Sequence, residues 1–297
     1  MASSEKSVSK VKWSTRQRLQ YIEIKAWYTG TVSRSDVAKA FAISDAAATK
    51  DLNFYNQAAP NNLIYKHSVY GFVPSDSFRE IYADLSPAAV LPLFTENLAV
   101  IGGPSATQDA VYGISVDTLP LPTRLPDKFV LAQLVRAVKN NKKLLMTYKS
   151  LSGRDDSEQR TIEPHSLINT GLRWHVRAYS QDTFDFRDYV LSRITQAEML
   201  DEEAESGVAY DDDWVEHVVL QLAPHPGLDE KKRLNLLYDY GAENDVIELN
   251  VRRSLVGYVL QKLSVDTTAD HSLNPNKYQM IVLNRDEIEP FAGWAFL

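Results

Sequence analysis

The hydrophobic period of this chain changes along its length, and that change limits the folds open to it more than any other feature. Over roughly the first 75 residues, apolar side chains recur at three-and-four spacing, the period of helices. Beyond Lys142 the period falls to two across several short segments, the mark of strands, and towards the C-terminus strand and helix patterns alternate. A purely helical or purely stranded domain does not accommodate this pattern. At 297 residues the chain is long for one core and sufficient for two or three. An α+β multidomain protein is expected.

Ser14 stands as the N-cap of a first helix with Leu19, Ile22, Ala26 and Trp27 at helical spacing, closed by Tyr28-Thr29-Gly30. A short second helix follows Ser33, with Val37, Ala38 and Phe41 on one face. Ala42-Ile43 makes a tight turn, and Ser44 caps a third helix that runs to about Asn56. Leu63–His67 and Tyr70–Val73 then read as a short hairpin. Helix, helix, turn, helix, hairpin is the order of a winged helix-turn-helix, assigned to residues 1–76.

The charge distribution bears on what that segment meets. The net charge is −7, yet residues 1–75 carry +5, residues 76–200 carry −1 and residues 201–297 carry −11. A basic first quarter on an acidic body is expected when one domain faces phosphate. A merely solvated basic end fits the count equally well. In a helix-turn-helix the second helix of the motif enters the major groove. Here that helix opens at Ser44, and Ala46, Ala47 and Ala48 leave room for close approach to the groove. Ser44 and Thr49 offer hydroxyls, Lys50 a phosphate or guanine contact, and Asn53 a partner for adenine. Leu52 and Tyr55 are expected to pack inward. Arg34, Lys39, Lys66, His67 and Tyr70 are candidate backbone contacts that position without specifying sequence. The stretch Val32–Leu52 resembles a DeoR-type winged helix, in which a serine-led helix ends near an Asp-Leu pair.

Residues 77–127 read as a helical linker: helical from Asp76 to about Val100 with a break at Ser86-Pro87, then an irregular Gly-, Pro-, Ser- and Thr-rich connection to Pro126. Lys128–Asn140 is amphipathic, with Phe129, Leu131, Leu134, Val135 and Val138 as its apolar set. Short strands over 144–150, 160–164, 172–179 and 189–194 suggest a small antiparallel barrel or sandwich. Strand alternation puts His175, Arg177 and Tyr179 on one face; Arg187, Tyr189, Leu191 and Arg193 share another, as do Tyr148 and Ser150. Where these faces meet, guanidinium groups suited to phosphate stand beside aromatic rings suited to a base. Surface ion pairs with Asp182, Asp185, Asp188 and Glu163 are the alternative for the same arginines.

The segments Arg160–His165, Gly171–Tyr179 and Arg187–Ile194 resemble the WYL domain family, whose Trp-Tyr-Leu triplet stands here as Trp174-His175-Val176. The resemblance implies an Sm-like β-barrel over residues 128–202, whose polar residues sense a ligand, often proposed to be a nucleotide or nucleic acid. Tyr148, Ser150, His165, His175, Arg177, Arg187 and Arg193 are the ligand-site candidates. The acidic run Asp201–Glu205 reads as a linker to a small α+β unit at 203–297. In WYL regulators such an extension commonly serves dimerisation, and the whole arrangement is similar to the BrxR/CapW-like regulators of phage-defence loci. That resemblance implies a homodimeric repressor acting on double-stranded DNA at a palindromic operator, with a nucleotide or nucleic-acid effector.

Chemistry of other kinds is poorly supported. There is no cysteine, which excludes disulfides, thiolate-bound zinc and thiol catalysis. No nucleotide-binding loop, serine elbow or zinc-protease motif is present, and the six histidines lack metal-ligand spacing. No cofactor, metal or catalytic residue is expected. No apolar run approaches a membrane span and the N-terminus lacks an apolar leader, so a cytoplasmic protein without a membrane partner is expected. The alternative is a nucleic-acid-binding accessory protein whose central domain takes RNA or single-stranded DNA and modulates a partner enzyme. An enzyme acting on nucleotides is a weaker third.

Overall fold

The structure is a computed structural model that describes residues 11–95, 112–114, 116, 119, 121–122, 124–151, 159–242 and 244–297. The chain divides into two compact units, 1–121 and 122–297.

The first unit is built on helix α1 (Trp13–Thr29), α2 (Arg34–Phe41) and α3 (Asp45–Ala58), followed by strands β1 (Leu63–Lys66) and β2 (Gly71–Pro74). Gly30 ends α1 at φ +77°, a backbone angle that suits glycine. Ser33 and Asp36 form a reciprocal capping box on α2. Ala42 turns the chain at φ +48°, and the Ser44 hydroxyl accepts from the Ala47 N–H to start α3. The expected cap of α1 differs: Ser14 lies inside the helix, which begins one residue earlier behind Lys12 without a side-chain cap. β1 and β2 pair antiparallel, and Val32 bridges to Phe72, so the wing is anchored at the base of α2.

The segment expected to be helical from Asp76 is not. Residues 75–86 run as turns and bends, and α4 spans Pro87–Thr95, starting where a break was expected. The reason is a buried carboxylate. Glu23 of α1 is fully buried and accepts from the N–H groups of Ile81, Tyr82 and Ala83 at 2.9, 2.8 and 2.7 Å. Those three donors are therefore satisfied without a helix. Tyr82, Ala83, Leu85 and Val90 then join the core made by Leu19, Ile22, Val37 and Leu52. Most of the connection expected over 101–126 lies outside the described residues.

The second unit opens with α5 (Lys128–Asn140), capped by Asp127 and closed by Asn141 at φ +54°. It packs on strands β3 (Lys142–Tyr148), β4 (Gln159–Asn169), β5 (Trp174–Ser180), β6 (Asp185–Val190) and β7 (Ile194–Glu203). These form one antiparallel sheet in the order β6-β5-β4-β3-β7. No ladder joins β6 to β7 among the described residues, so the expected closed barrel is an open five-stranded sheet. The buried face of α5 is Val130, Leu134 and Ala137, whereas Phe129, from the apolar set read in the sequence, is 70% exposed. The acidic run expected as a linker is partly strand, since Asp201–Glu203 end β7; Glu205 and Ser206 then donate their N–H groups to Glu163, each at 2.6 Å.

After the short helix α6 (Asp212–Val215) come β8 (His217–Pro224), α7 (Glu230–Asp239), β9 (Ile247–Arg252), α8 (Val256–Lys262), β10 (Val265–Asp266), β11 (Met280–Val282) and α9 (Arg285–Ala292). The sheet order is β10-β11-β8-β9, with β10 and β11 parallel. Leu220, Leu222, Val256, Leu260 and Ile288 fill the core between this sheet and its helices. Among the described residues no helix is long and apolar enough to cross a membrane.

Replacing Glu23 with alanine should destabilise the first unit by more than about 3 kcal/mol, because it orphans the buried N–H groups of Tyr82 and Ala83, the part-buried one of Ile81 and the Tyr55 hydroxyl together. Urea unfolding monitored on the full chain measures the change; a shift under about 1 kcal/mol would show that these donors find other partners.

Candidate functional site

In the first unit α3 has two distinct faces. Ala48, Asp51, Leu52 and Tyr55 are buried, so Ala48, expected to face the groove, packs inward instead. Its spacing to Leu52 and Tyr55 is the four-and-three step of an inward stripe. Ser44, Ala46, Thr49, Lys50 and Asn53 are exposed, and Ala47 is half-buried. Arg18 of α1 grips Asp51 with Nε at 2.6 Å and Nη2 at 3.2 Å. The Tyr55 hydroxyl donates to Glu23 at 3.0 Å and accepts from Asn62. α3 is thus fixed by charge at one point and by a buried hydroxyl one turn later, with the opposite face open.

Several candidate contacts already have local duties. Ser44 caps the helix and Thr49 Oγ1 donates to the Asp45 carbonyl at 2.8 Å. Arg34 pairs with Asp45 at 3.3 Å, both exposed. Lys50 and Asn53 make no hydrogen bond or ion pair among the described residues. Lys66 and His67 are exposed where β1 leads into the wing tip, and Tyr70, at φ +48°, is 82% exposed on it. Arg34 at the start of α2, Lys50 and Asn53 on α3, and Lys66, His67 and Tyr70 at the wing are therefore exposed on the elements the sequence assigned to nucleic acid.

The second unit holds a cleft of about 870 Å³ between the five-stranded sheet and the C-terminal helices. Tyr148, Ser150, Arg177, Arg187 and Arg193 all line it, and so do Arg160 and Arg173, which were not singled out in the sequence. His165 and His175 do not. A bulge explains His165: Pro164 pairs with Ala178 and Ser166 with Arg177, leaving His165 as the extra residue of β4. Its Nε2 donates to Asp211 at 3.1 Å while Nδ1 meets Ser166 Oγ. His175 is buried behind the cleft, 5.0 Å from the Tyr258 ring, with Nδ1 unpartnered.

The face-sharing expected for the fourth segment also fails in part. Tyr189 and Leu191 belong to the hydrophobic core, and residues 191–193 form a 3-10 turn that ends strand alternation. Arg187 sits opposite Ala178, so it leaves the sheet from the face away from Arg177 and reaches the cleft at the edge strand.

Arg177 is the most constrained of the arginines. Its Nε and Nη2 donate to the two oxygens of Asp211 at 2.7 and 2.9 Å, and Nη1 meets Asp188 at 3.4 Å. Burial alone would raise the Asp211 pKa, but Arg177 and His165 hold it below the usual carboxylate value. Asp188 also accepts from the Tyr258 hydroxyl at 2.9 Å, which links the sheet to α8. Arg177 is thus already neutralised, whereas Arg173 and Arg193 make no side-chain hydrogen bond or ion pair among the described residues. Arg160 is 6% exposed, lies over the Tyr148 ring at 5.5 Å and has an unpartnered Nη2. Buried or clustered guanidinium groups without acceptors are costly, and a bound anion relieves that cost. Among the described residues no group of three or more His, Asp or Glu side chains is placed to hold a metal.

Comparisons with known proteins cover the same segments. Residues 14–96 match the model described as the BrxR transcriptional regulator winged helix-turn-helix domain. Residues 130–199 match the WYL domain, and residues 217–288 the BrxR transcriptional regulator C-terminal dimerization domain. The chain is 32% identical to the DNA-binding transcriptional repressor CapW of Escherichia coli over 96% of its own length and 94% of that protein's. It is 28% identical to the repressors of that name from Stenotrophomonas maltophilia, over 95% and 93%, and Pseudomonas aeruginosa, over 94% and 92%.

The buried histidine behind the cleft gives this unit a pH signature. Burial first, then the charges of Arg173, Arg193 and Arg124, lower the His175 pKa to about 4. Its folded pKa lies below the unfolded one, so its contribution to stability is whole above about pH 6.5 and is lost as pH falls towards 4. Between pH 7 and pH 4.5 the native chain should lose about 2 kcal/mol more than His175→Gln does. Urea midpoints at the two pH values measure this, and parallel losses would place the histidine in contact with water.

Proposed function

Since this chain belongs to the family of CapW-type DNA-binding transcriptional repressors, we propose that it represses transcription by seating α3 in the major groove of an operator. The observation that carries the proposal is the outer face of α3, where Lys50 and Asn53 stand exposed and, among the described residues, without partners while Arg18 and Glu23 hold the inner face. On this reading Ser44, Ala46, Ala47, Thr49, Lys50 and Asn53 face the groove. Arg34, Lys66, His67 and Tyr70 meet the phosphate backbone. The excess of positive charge over residues 1–75 supplies the salt-dependent part of the affinity.

The match of residues 217–288 to a dimerization domain supports a homodimer. Two copies related by a two-fold axis read a palindromic operator whose half-sites lie one helical turn apart, roughly 34 Å, or a multiple of it. The proposed division of labour assigns residues 1–76 to DNA, 77–127 to the connection, 128–202 to sensing through an Sm-like WYL fold and 203–297 to self-association. The cleft arginines support an effector that carries phosphate, a nucleotide or nucleic-acid end, with Tyr148, Ser150, Arg187 and Arg193 in contact and Arg177 and the two histidines holding the frame. The protein is proposed to act in the cytoplasm, without enzymatic activity, on a phage-defence operon.

Footprinting on the DNA upstream of its own gene tests this directly. Lys50→Ala should weaken operator binding about tenfold at fixed salt and lower the slope of log affinity against log salt by about one, with the dimer intact by size-exclusion chromatography. An unchanged gel shift for both Lys50→Ala and Thr49→Ala would remove α3 from the interface.

A further inference from the structure

The arginines account for only one half of the cleft. Its opposite wall comes from the C-terminal domain, through Tyr258 and Gln261 of α8 and Trp294 just beyond α9. Trp294 lies outside both matched segments of this unit, 130–199 and 217–288. It is 60% exposed, an unusual state for an indole, yet it is not loose. One side of its ring rests on α8 at Gly257, where an added Cβ would meet Cζ2 at 2.5 Å. Tyr258 lies 5.2 Å away by ring centroids, and is itself packed on His175 and bonded to Asp188. A large ring held from behind and open on the rim of an arginine-lined cleft has the form of a stacking platform.

We propose that Trp294 stacks on the base of a phosphate-bearing nucleotide effector whose phosphate is held by Arg160, Arg173 and Arg193. The inference rests on reading the cleft as the effector site, and goes beyond it by requiring a base next to the phosphate. Two observations point to a ligand independently: the unpartnered, buried Nη2 of Arg160 and the supported but uncovered indole. Asp182, Asp185 and Asp213 share the lining, so the cleft is not a uniform anion trap and selects for where the phosphate sits. Because its two walls come from different domains, one bound molecule touches both the sheet and the C-terminal domain. A free nucleotide and the phosphorylated end of a single strand present the same chemistry.

The test is calorimetric titration of the full-length dimer with three probes: the dinucleotide pApA, a 5′-phosphorylated ten-thymidine strand, and inorganic pyrophosphate. Wild type should bind one or both nucleotide probes, and which of the two binds tighter identifies the source. Trp294→Ala should weaken that binding about tenfold and Trp294→Phe two- to threefold, while pyrophosphate binding stays unchanged. Gly257→Ala, which displaces the ring without removing it, should weaken nucleotide binding as well. Arg173→Ala should weaken all probes that bind. Equal nucleotide affinity in wild type and Trp294→Ala, with loss in Arg173→Ala, would overturn the stacking role and leave the anion site standing. Pyrophosphate binding without nucleotide binding overturns base recognition, and binding of none of the three overturns the effector site with it.

Discussion

Arg177 is a charge that the surrounding sheet cannot hold without help, and the second unit is arranged around giving it that help. Asp211, delivered by the segment before α6, takes two of its N–H groups, and Asp188, opposite it on β6, takes a third contact. Asp211 also accepts from His165 and from the Trp214 N–H, and Asp188 from Tyr258. Four elements that share little sequence proximity are thereby tied to one guanidinium. Removal of one partner from such a buried network typically costs about 3–5 kcal/mol, because the others are left charged and dry. Arg177 is committed to these carboxylates, whereas Arg173 and Arg193 of the same cleft lining make no side-chain hydrogen bond or ion pair among the described residues.

The first unit solves a similar problem with the opposite charge. Glu23 is wholly buried and meets four donors, three of them backbone N–H groups from residues 81–83 and one the hydroxyl of α3's Tyr55. Burial raises its pKa, and every one of its partners pulls the other way. One carboxylate thus joins α1, α3 and the chain leading to α4. The orientation of the exposed face of α3 depends on a side chain that never reaches the surface.

These two networks mark the limit of what the sequence discloses. Helix and strand identities are legible because local rules act on near neighbours: Ser33 with Asp36, Ser44 with Ala47, the turn at Gly30, and period-two runs from Lys142 onward. The irregular path of residues 75–86 is not legible, since its partner Glu23 lies some sixty residues away. A single added residue at His165 shifts β4 against β5 and redirects that ring out of the pattern that alternation assigns it. Asp211 is the first of three consecutive acids and carries no local mark of burial, and only the fold reveals that it is buried. Arg160 and Arg173 stood inside the quoted motifs without a signal to separate them from solvated arginines, and Tyr258 and Trp294 carried none at all.

The alanines at the opening of α3 have a consequence for selectivity. With α3 in the groove as proposed, Ala46 and Ala47 would let the backbone come close but would contribute almost no chemistry, so few side chains in each copy would tell one base pair from another. At roughly 1–3 kcal/mol per good base contact, a single copy is outnumbered by the ~10⁶–10⁹ competing sites of a genome. If two copies read the operator as proposed, discrimination would come from squaring a modest preference, and the pairing of two copies would be part of the recognition code rather than a packaging detail.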